Sequence, residues 1–220
     1  MIERANHCVS QADISNNALK VLQQLAKHQF SSYLVGGAVR DLLLRKAPKD
    51  FDIATDAKPN EIKKIFPNCR LIGRRFRLAH IIFRHGREII EVATFRAAED
   101  KPHAIRDKHH AGMIVRDNIY GTIEEDVWRR DFTINALYYD YANKAIIDFT
   151  GGMADLTQKN IRLIGDPQKR FREDPVRMLR AIRFASLLEF TIDPQTTAVI
   201  PQLAHLINHV SSSRLFDELL

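Results

Sequence analysis

Cysteine is scarce in this sequence, and long apolar runs are absent from it. The two cysteines, Cys8 and Cys69, do not have the spacing of metal ligands, and nothing indicates a disulfide. No run approaches the ~20 apolar residues that a membrane-spanning helix needs. The first ten residues lack the apolar core of a signal peptide. These absences predict a reduced, cytoplasmic protein without a membrane partner.

The composition is that of a basic globular protein with a substantial core. The chain has 220 residues, enough for one large domain or two small ones, and 45% of them are apolar. Lysine and arginine number 33 against 27 acidic residues, which gives a net charge of +6. This balance is compatible with a polyanionic partner such as RNA, although many basic proteins bind no nucleic acid.

A Gly-Gly turn between a predicted strand and a predicted helix is the first candidate binding element. The apolar run Tyr33–Val35 predicts a buried strand, and Ala38–Leu44 has the pattern of a short helix. Gly36 and Gly37 join the two and lead into the helix N-terminus, where unpaired N–H groups and the helix dipole favour an anion. Taken alone, such a pair is usually only a turn.

Two aspartates follow on the next predicted strand. Asp50 and Asp52 come after Pro48, and their side chains should point to one side of the strand, with Phe51 and Ile53 on the other. Two neighbouring carboxylates suit a hard divalent cation such as Mg²⁺. The spacing alone more often marks a solvated strand edge. Joined to the preceding Gly-Gly turn, it predicts a phosphate cradle beside a metal site, for chemistry on a nucleoside triphosphate.

Other charged residues could complete this site. Arg40 and Asp41 lie early in the short helix, either as a surface ion pair or as a triphosphate contact and its support. Glu91 lies on the predicted strand Glu88–Phe95, on a face shared with apolar residues, where a buried carboxylate needs a cation or donors. If this strand neighbours the aspartate strand, Glu91 is a candidate third acid. The alternative is an exposed sheet face.

The segment Ile123–Tyr139 is predicted to be a helix with a polar face. Arg130, Asp131 and Asn135 occur at helical spacings, and Asp131 and Asn135 are four residues apart on one side. An amide and a carboxylate there suit a ribose hydroxyl, and an arginine suits phosphate. An ordinary polar helix surface has the same spacing.

A second polar cluster opens the predicted helix Val176–Phe190. Glu173, Asp174 and Arg177 lie three to four residues apart and could present donors and acceptors to the edge of a base. Because Asp before Pro is a good helix start, a capping cluster is the structural alternative.

Three segments resemble, in this order, motifs of the class II tRNA nucleotidyltransferase and bacterial poly(A) polymerase family, in the DNA polymerase β superfamily. They are GGAVRDLLL with PKDFDIAT, RRDFTINAL, and EDPVRMLRAIRFA. The resemblance covers residues 14–220 and implies an α+β fold: a polymerase-β-like nucleotidyltransferase head, with a mixed sheet and flanking helices, followed by an all-α neck. We expect the head and its N-terminal helix at 1–155, and a helical RNA-binding neck, truncated relative to family members, at 156–220.

The resemblance also implies roles for individual residues. Asp50 and Asp52 would carry the metal ions, and Asp131 would be a further active-site acid. The third metal ligand stays open between Glu91, which strand geometry favours, and Asp131, which the resemblance favours. The predicted nucleotide-binding residues are Gly36, Gly37, Arg40, Asp41, Arg130, Asn135, Glu173, Asp174 and Arg177.

Further stretches resemble the poly(A) form of the family more than the CCA-adding form. They are LIGRRFRLAHIIF, EEDVWRRDF and IRLIGDP. The resemblance therefore implies a template-independent polynucleotide adenylyltransferase that adds AMP from ATP to RNA 3′ ends. It further implies a two-Mg²⁺ site, ATP as substrate, and RNA-decay proteins as additional partners.

Three alternatives stay open. The first is a CCA-adding tRNA nucleotidyltransferase. The second is a non-catalytic RNA-binding module, against which the presence of both Asp50 and Asp52 argues. The third modifies small molecules, but the basic stretches Arg74–Arg77 and Arg172–Arg183 favour a polyanionic acceptor. The aperiodic segment Ala97–Asn118 is predicted to be a loop that closes over nucleotide or RNA.

Overall fold

The computed structural model describes residues 1–73, 77–83, 88–97 and 119–219. Most of the basic run Arg74–Arg77 and of the predicted loop Ala97–Asn118 lies outside the described residues.

A mixed sheet of seven strands forms the centre of the described part of the chain. The strands are β1 (Ser32–Val35), β2 (Asp52–Thr55), β3 (Cys69–Ile72), β4 (Leu78–Phe83), β5 (Glu88–Thr94), β6 (Tyr138–Asp140) and β7 (Ala145–Ile147). Their order across the sheet is β3-β4-β5-β2-β1-β6-β7. Only β2 and β5 run parallel, and the other neighbouring pairs are antiparallel. This arrangement confirms the predicted mixed sheet.

Helices flank the sheet and form most of the C-terminal part. They are α1 (Asn16–Lys27), α2 (Gly37–Leu43), α3 (Pro59–Ile65), α4 (Ile123–Arg129), α5 (Gly152–Thr157), α6 (Pro167–Glu173), α7 (Val176–Leu188), α8 (Pro194–Leu203) and α9 (Ser212–Leu219). Ser15 and Asp193 cap α1 and α8 by accepting backbone N–H groups. In the ranges that the structure describes, no helix has the length and apolarity to cross a bilayer.

The apolar side chains form three clusters that the sheet separates. Leu34 and Ile53 pack with α1, α2 and α3 on one face of the sheet, whereas the adjacent Val35 and Ala54 pack on the other face. This alternation is the expected period of a strand. The third cluster joins α6, α7 and α8 to Phe132. The predicted boundary between residues 155 and 156 stays a prediction, since this cluster includes residues from both sides of it.

The predicted helix over Ile123–Tyr139 is wrong beyond its first half. Helix α4 ends at Arg129, the backbone of Arg130 is extended, and a short 3₁₀ turn covers Thr133–Asn135. The strand β6 follows. Pairing decides this conformation: Phe132 forms an isolated bridge with Leu163, and β6 lies between β1 and β7. These long-range hydrogen bonds override a local helical spacing.

Smaller corrections concern the carboxylates. Asp50 precedes β2 and does not lie on it, because the strand begins at Asp52. Glu91 is not among buried neighbours: the covered face of β5 is that of Ile90 and Val92. Glu173 ends α6, a helix that the sequence did not predict, and does not begin α7. The neck also contains an unpredicted two-stranded pair, β8 (Asn160–Ile161) and β9 (Thr191–Ile192).

Gly152, the first residue of α5, leaves no room for a side chain. A Cβ there would lie 2.3 Å from the carbonyl oxygen of Thr133. We expect Gly152→Ala to lower the free energy of unfolding by about 1–3 kcal/mol, because the turn at Thr133 must move away. Denaturant unfolding measures the change. Gly37→Ala is the control, since its Cβ would meet its nearest neighbour, Arg40, at an ordinary 3.5 Å; an equal loss there would contradict the packing argument.

Candidate active site

A cleft of about 510 Å³ lies between the sheet and the C-terminal helices. Strands β2 and β5 and helix α4 line it on the head side, and residues of α6, α7 and α9 line it on the neck side. The structure brings together here seven of the residues that the sequence predicted: Asp52, Glu91, Arg130, Asp131, Glu173, Asp174 and Arg177. Segments far apart in the chain therefore meet in one site.

Two carboxylates lie side by side on the floor of the cleft. The parallel pairing of β2 and β5 places Asp52 directly beside Glu91, as strand geometry predicted for neighbouring strands. Burial, followed by the negative charge of Glu91, raises the pKa of Asp52 from 3.8 to about 6, and Asp50 adds to the rise. Asp50 itself is exposed. The site thus holds negative charges that repel one another.

This donor set fits a divalent cation that arrives with its substrate. Among the described residues, no three His, Cys, Asp or Glu side chains form a ready-made metal site. Mg²⁺ does not require one, because it binds through one or two carboxylates, substrate phosphates and water. Asp52 and Glu91, with Asp50 next to them, supply such carboxylates. A bound cation would also relieve the repulsion that raises the pKa of Asp52.

The Gly-Gly turn lies next to Asp52, one of these carboxylates. Gly36 has φ of +74°, a conformation that favours glycine, and a Cβ there would lie 3.9 Å from Oδ2 of Asp52. Gly37 begins α2. The predicted order of strand, glycine turn, helix and aspartate is therefore confirmed in space, with the turn next to Asp52.

Arg40 lies beneath the turn and does not line the cleft. It is buried, and it donates hydrogen bonds to Oδ1 of Asp41 at 2.8 Å and to Oδ1 of Asn135 at 2.9 Å. Its guanidinium carbon is 5.3 Å from the ring centroid of Phe184 on α7. The structure thus places Arg40 as a link between α2, the Asn135 turn and the neck. Triphosphate contact by Arg40 and support by Asp41 stay predictions.

Arg130 is held in the cleft by two residues that the sequence did not single out. Its Nη2 donates to Oδ2 of Asp126 at 3.0 Å, and its Nε donates to Oη of Tyr138 at 2.6 Å. Burial by itself lowers the pKa of Arg130. Tyr138 and Asp126 raise that pKa by more than burial lowers it, so the net shift is upward and the guanidinium stays charged. In the sequence, Asp126 is one of three acidic residues in the first turn of α4. Stabilisation of the helix dipole is a sufficient reason for acids there, so the pattern did not indicate a contact with Arg130.

Asp131 is already neutralised by an arginine. Its Oδ2 accepts from Nε of Arg180 at 2.8 Å, and its Oδ1 accepts the backbone N–H of Phe132 at 2.7 Å. Burial raises the pKa of Asp131, but Arg180 and the Phe132 N–H outweigh it and hold the pKa below its ordinary value. Asn135 donates to Asp131 at 3.4 Å across the 3₁₀ turn, so the two are neighbours although no helix joins them.

The predicted base-recognition residues form ion pairs. Oε2 of Glu173 accepts from Arg170 at 2.8 Å and from Arg177 at 3.3 Å. Arg214 on α9 donates two parallel hydrogen bonds to the carboxylate of Asp174, at 2.9 and 2.8 Å. This fork is the strongest geometry for an arginine–carboxylate pair.

Helix α9 contributes a second pair that the sequence did not predict. Glu218 accepts from Arg180 at 2.9 Å and lies 2.9 Å from Nε of Arg183. Arg214 and Glu218 are four residues apart, so both point from one face of α9 into the cleft. The spacing of Arg214 and Glu218 predicts that they share one face of a helix. Nothing in the sequence indicates which surface of the protein that face contacts.

Comparison with known proteins identifies the family of this chain. The chain matches the family model described as "Poly A polymerase head domain" over residues 32–162, and that described as "Probable RNA and SrmB- binding site of polymerase A" over residues 189–220. It is 56% identical to Poly(A) polymerase I of Salmonella typhi, over 99% of this chain and 47% of that protein.

More distant relatives share the fold. The chain is 39% identical to the CCA-adding enzyme of Bacillus licheniformis, over 92% of this chain and 48% of that protein. The crystal structure of the Bacillus stearothermophilus CCA-adding enzyme in complex with CTP matches with a TM-score of 0.76 and 39% identity, over 92% of this chain and 46% of that one. The chain thus spans about half the length of the relatives it matches.

The raised pKa of Asp52 makes stability depend on pH. The pKa in the folded protein is above the unfolded value of 3.8, so the stabilisation is full at low pH and is lost as the pH rises through about 6. We expect Asp52→Asn to increase the free energy of unfolding by about 1–2 kcal/mol at pH near 7.5 without divalent cations, and to change it little at pH near 4. Denaturant unfolding at both pH values measures this. Asp56→Asn, at an exposed position, is the control and should leave the free energy of unfolding nearly unchanged at both pH values. If D52N is no more stable than the wild type at the higher pH, the expected effect of Asp52 is wrong.

The pair of Arg214 and Asp174 should couple energetically. We expect Arg214→Ala and Asp174→Asn each to lower the free energy of unfolding. The double variant should lose less than the sum of the two single losses, and the difference, the coupling energy, should be roughly 1 kcal/mol. A double-mutant cycle in denaturant measures it. In the control cycle, the exposed Arg172→Ala replaces Arg214→Ala, and its effect should add to that of Asp174→Asn. Additive effects in both cycles would show that the fork contributes nothing.

Proposed function

This chain belongs to the poly(A) polymerase head-domain family, and from that premise we propose that it transfers AMP from ATP to the 3′ end of RNA without a template. One observation carries the proposal: a carboxylate pair, Asp52 and Glu91, shares a cleft with arginines and lies beside a Gly-Gly turn. That combination suits a nucleoside triphosphate with its divalent cation.

The reaction is an attack of the RNA 3′-hydroxyl on the α-phosphorus of ATP. A bond forms from the 3′ oxygen to that phosphorus, and the bond to pyrophosphate breaks. In the proposal Asp50, Asp52 and Glu91 hold two Mg²⁺ ions, which when bound lower the pKa of the attacking hydroxyl and neutralise the triphosphate. Glu91 is preferred as third ligand over Asp131, because Glu91 neighbours Asp52 whereas Asp131 is paired with Arg180.

The remaining residues position and stabilise charge. The backbone N–H groups at Gly36 and Gly37 face the triphosphate, as at other helix N-termini. Arg130, fixed by Asp126 and Tyr138, offers a preorganised positive charge that costs little to reorganise during reaction. Asn135 contacts Asp131 and Arg40, and in the proposal its amide also binds the ribose.

Base selection falls to the neck side of the cleft. Glu173, Asp174 and Arg177 present carboxylates and a guanidinium whose positions are fixed by ion pairs. A rigid set of donors and acceptors favours one base edge over others. The higher identity to a poly(A) polymerase than to CCA-adding enzymes supports ATP as that substrate. The proposal extends to a cytoplasmic location and to RNA-decay proteins as partners.

The assay is nucleotide addition to a labelled RNA with a free 3′-hydroxyl. With Mg²⁺, we expect long addition from ATP alone on a general RNA. Incorporation of CTP that stops after a short fixed addition on a tRNA lacking its CCA end would instead support CCA addition. Absence of addition from either nucleotide would contradict both.

The same assay tests the carboxylates. We expect Asp50→Ala and Asp52→Ala each to lower the addition rate by roughly a hundredfold or more, because the cation loses a ligand at the charge that develops during reaction. Asp56→Ala, an exposed aspartate just after β2, is the matched control and should keep wild-type activity. Activity in D50A or D52A within a few-fold of wild type would overturn the assignment.

A further inference from the structure

One histidine stands in line with the two carboxylates across the sheet. The antiparallel pairing of β4 and β5 places His80 directly opposite Glu91, and the parallel pairing of β5 and β2 places Glu91 directly opposite Asp52. Side chains that are partners across strands project from the same face. His80, Glu91 and Asp52 therefore form one row on the face of the sheet that borders the cleft.

His80 contacts Glu91 directly. Its Nε2 lies 3.1 Å from Oε2 of Glu91. An ionised carboxylate can only accept, so Nε2 carries the proton and donates. The histidine side chain is 22% exposed and that of Glu91 is 37% exposed. His80 is thus the less exposed of the two, and it can anchor the more exposed carboxylate.

Glu91 needs such an anchor. It lies beside Asp52, whose negative charge repels it, and its long side chain has several rotamers available toward water. Without a donor on β4, repulsion and side-chain entropy both favour a glutamate turned away from Asp52. The hydrogen bond from His80 opposes both effects.

We propose that His80 is a positioning residue that keeps the Glu91 carboxylate beside Asp52, ready to share a divalent cation. The inference rests on the proposed function, because AMP transfer is the reaction in which that cation would act. His80 acts through Glu91, and a neutral imidazole is sufficient for the hydrogen bond.

Direct cation binding tests the role without requiring catalysis. Electron paramagnetic resonance of free Mn²⁺, titrated against the purified protein with a non-hydrolysable ATP analogue, gives the dissociation constant. We expect His80→Ala to weaken Mn²⁺ binding about five- to tenfold, in line with the loss of one hydrogen bond of ordinary net strength at a partly exposed position. His80→Gln, whose amide can donate from a similar position, should stay within about twofold of wild type. Ile89→Ala, exposed on the same face of β5, is the control and should bind as wild type does.

A double-mutant cycle separates positioning from a general structural effect. In a Glu91→Gln background, His80→Ala should weaken Mn²⁺ binding no further, because its partner carboxylate is gone. Unchanged binding in H80A, or the same loss in the Glu91→Gln background, would overturn the proposal.

The outcome is distinguishable from a failure of the proposed function. Wild-type protein that transfers AMP while H80A binds Mn²⁺ normally would overturn the role of His80 alone. Protein that shows the expected His80 and Glu91 coupling in Mn²⁺ binding but adds no AMP to RNA would contradict the proposed function and support the positioning role.

Discussion

The repulsion between Asp52 and Glu91 is the constraint on which the rest of the site depends. Parallel pairing of β2 and β5 forces two carboxylates into adjacent positions, and burial and charge raise the pKa of Asp52 to about 6. Two such groups on neighbouring central strands are unfavourable for folding alone. Its presence in an otherwise well-packed sheet is understandable if a cation resolves the repulsion, which connects the stability of the fold to the chemistry of the cleft.

The neck completes the cleft through charge. Phe184 on α7 lies within about 5 Å of the guanidinium carbons of Arg40, Arg180 and Arg183. Three like charges around one ring are tolerable only because carboxylates compensate them: Asp41 pairs with Arg40, and Asp131 and Glu218 pair with Arg180. The position of α7 against the head thus depends on acids from α2, from the Asp131 segment and from α9.

Sequence reasoning predicted those parts of the site whose geometry is local. The Gly-Gly turn and the alternation of side chains along the next strand predicted the place of Asp52. The same alternation predicted Glu91 as its partner on the condition that the two strands are neighbours, which they are. It failed where distant contacts decide. The bridge of Phe132 to Leu163 ends the helix that spacing favoured, and no local pattern indicates it. Arg214 is a similar case, because its fork with Asp174 exists only once α9 folds back onto the cleft.

The charge of the cleft supports the proposal that a cation accompanies the nucleotide. The chain carries a net charge of +6, yet the described residues that line its cleft include six arginines and seven acidic residues. Most of these arginines and acids compensate each other in pairs, such as Asp131 with Arg180 and Asp174 with Arg214. Among the described residues, Asp52 and Glu91 form no ion pair with an arginine, and in the proposed reaction the triphosphate approaches the attacking hydroxyl beside them. A bare triphosphate would be repelled there. Divalent cations convert the same carboxylates from a repulsive surface into an attractive one. In the proposed function, nucleotide binding and catalysis in this cleft therefore depend on one event, the arrival of metal at a pair of carboxylates that the sheet places side by side.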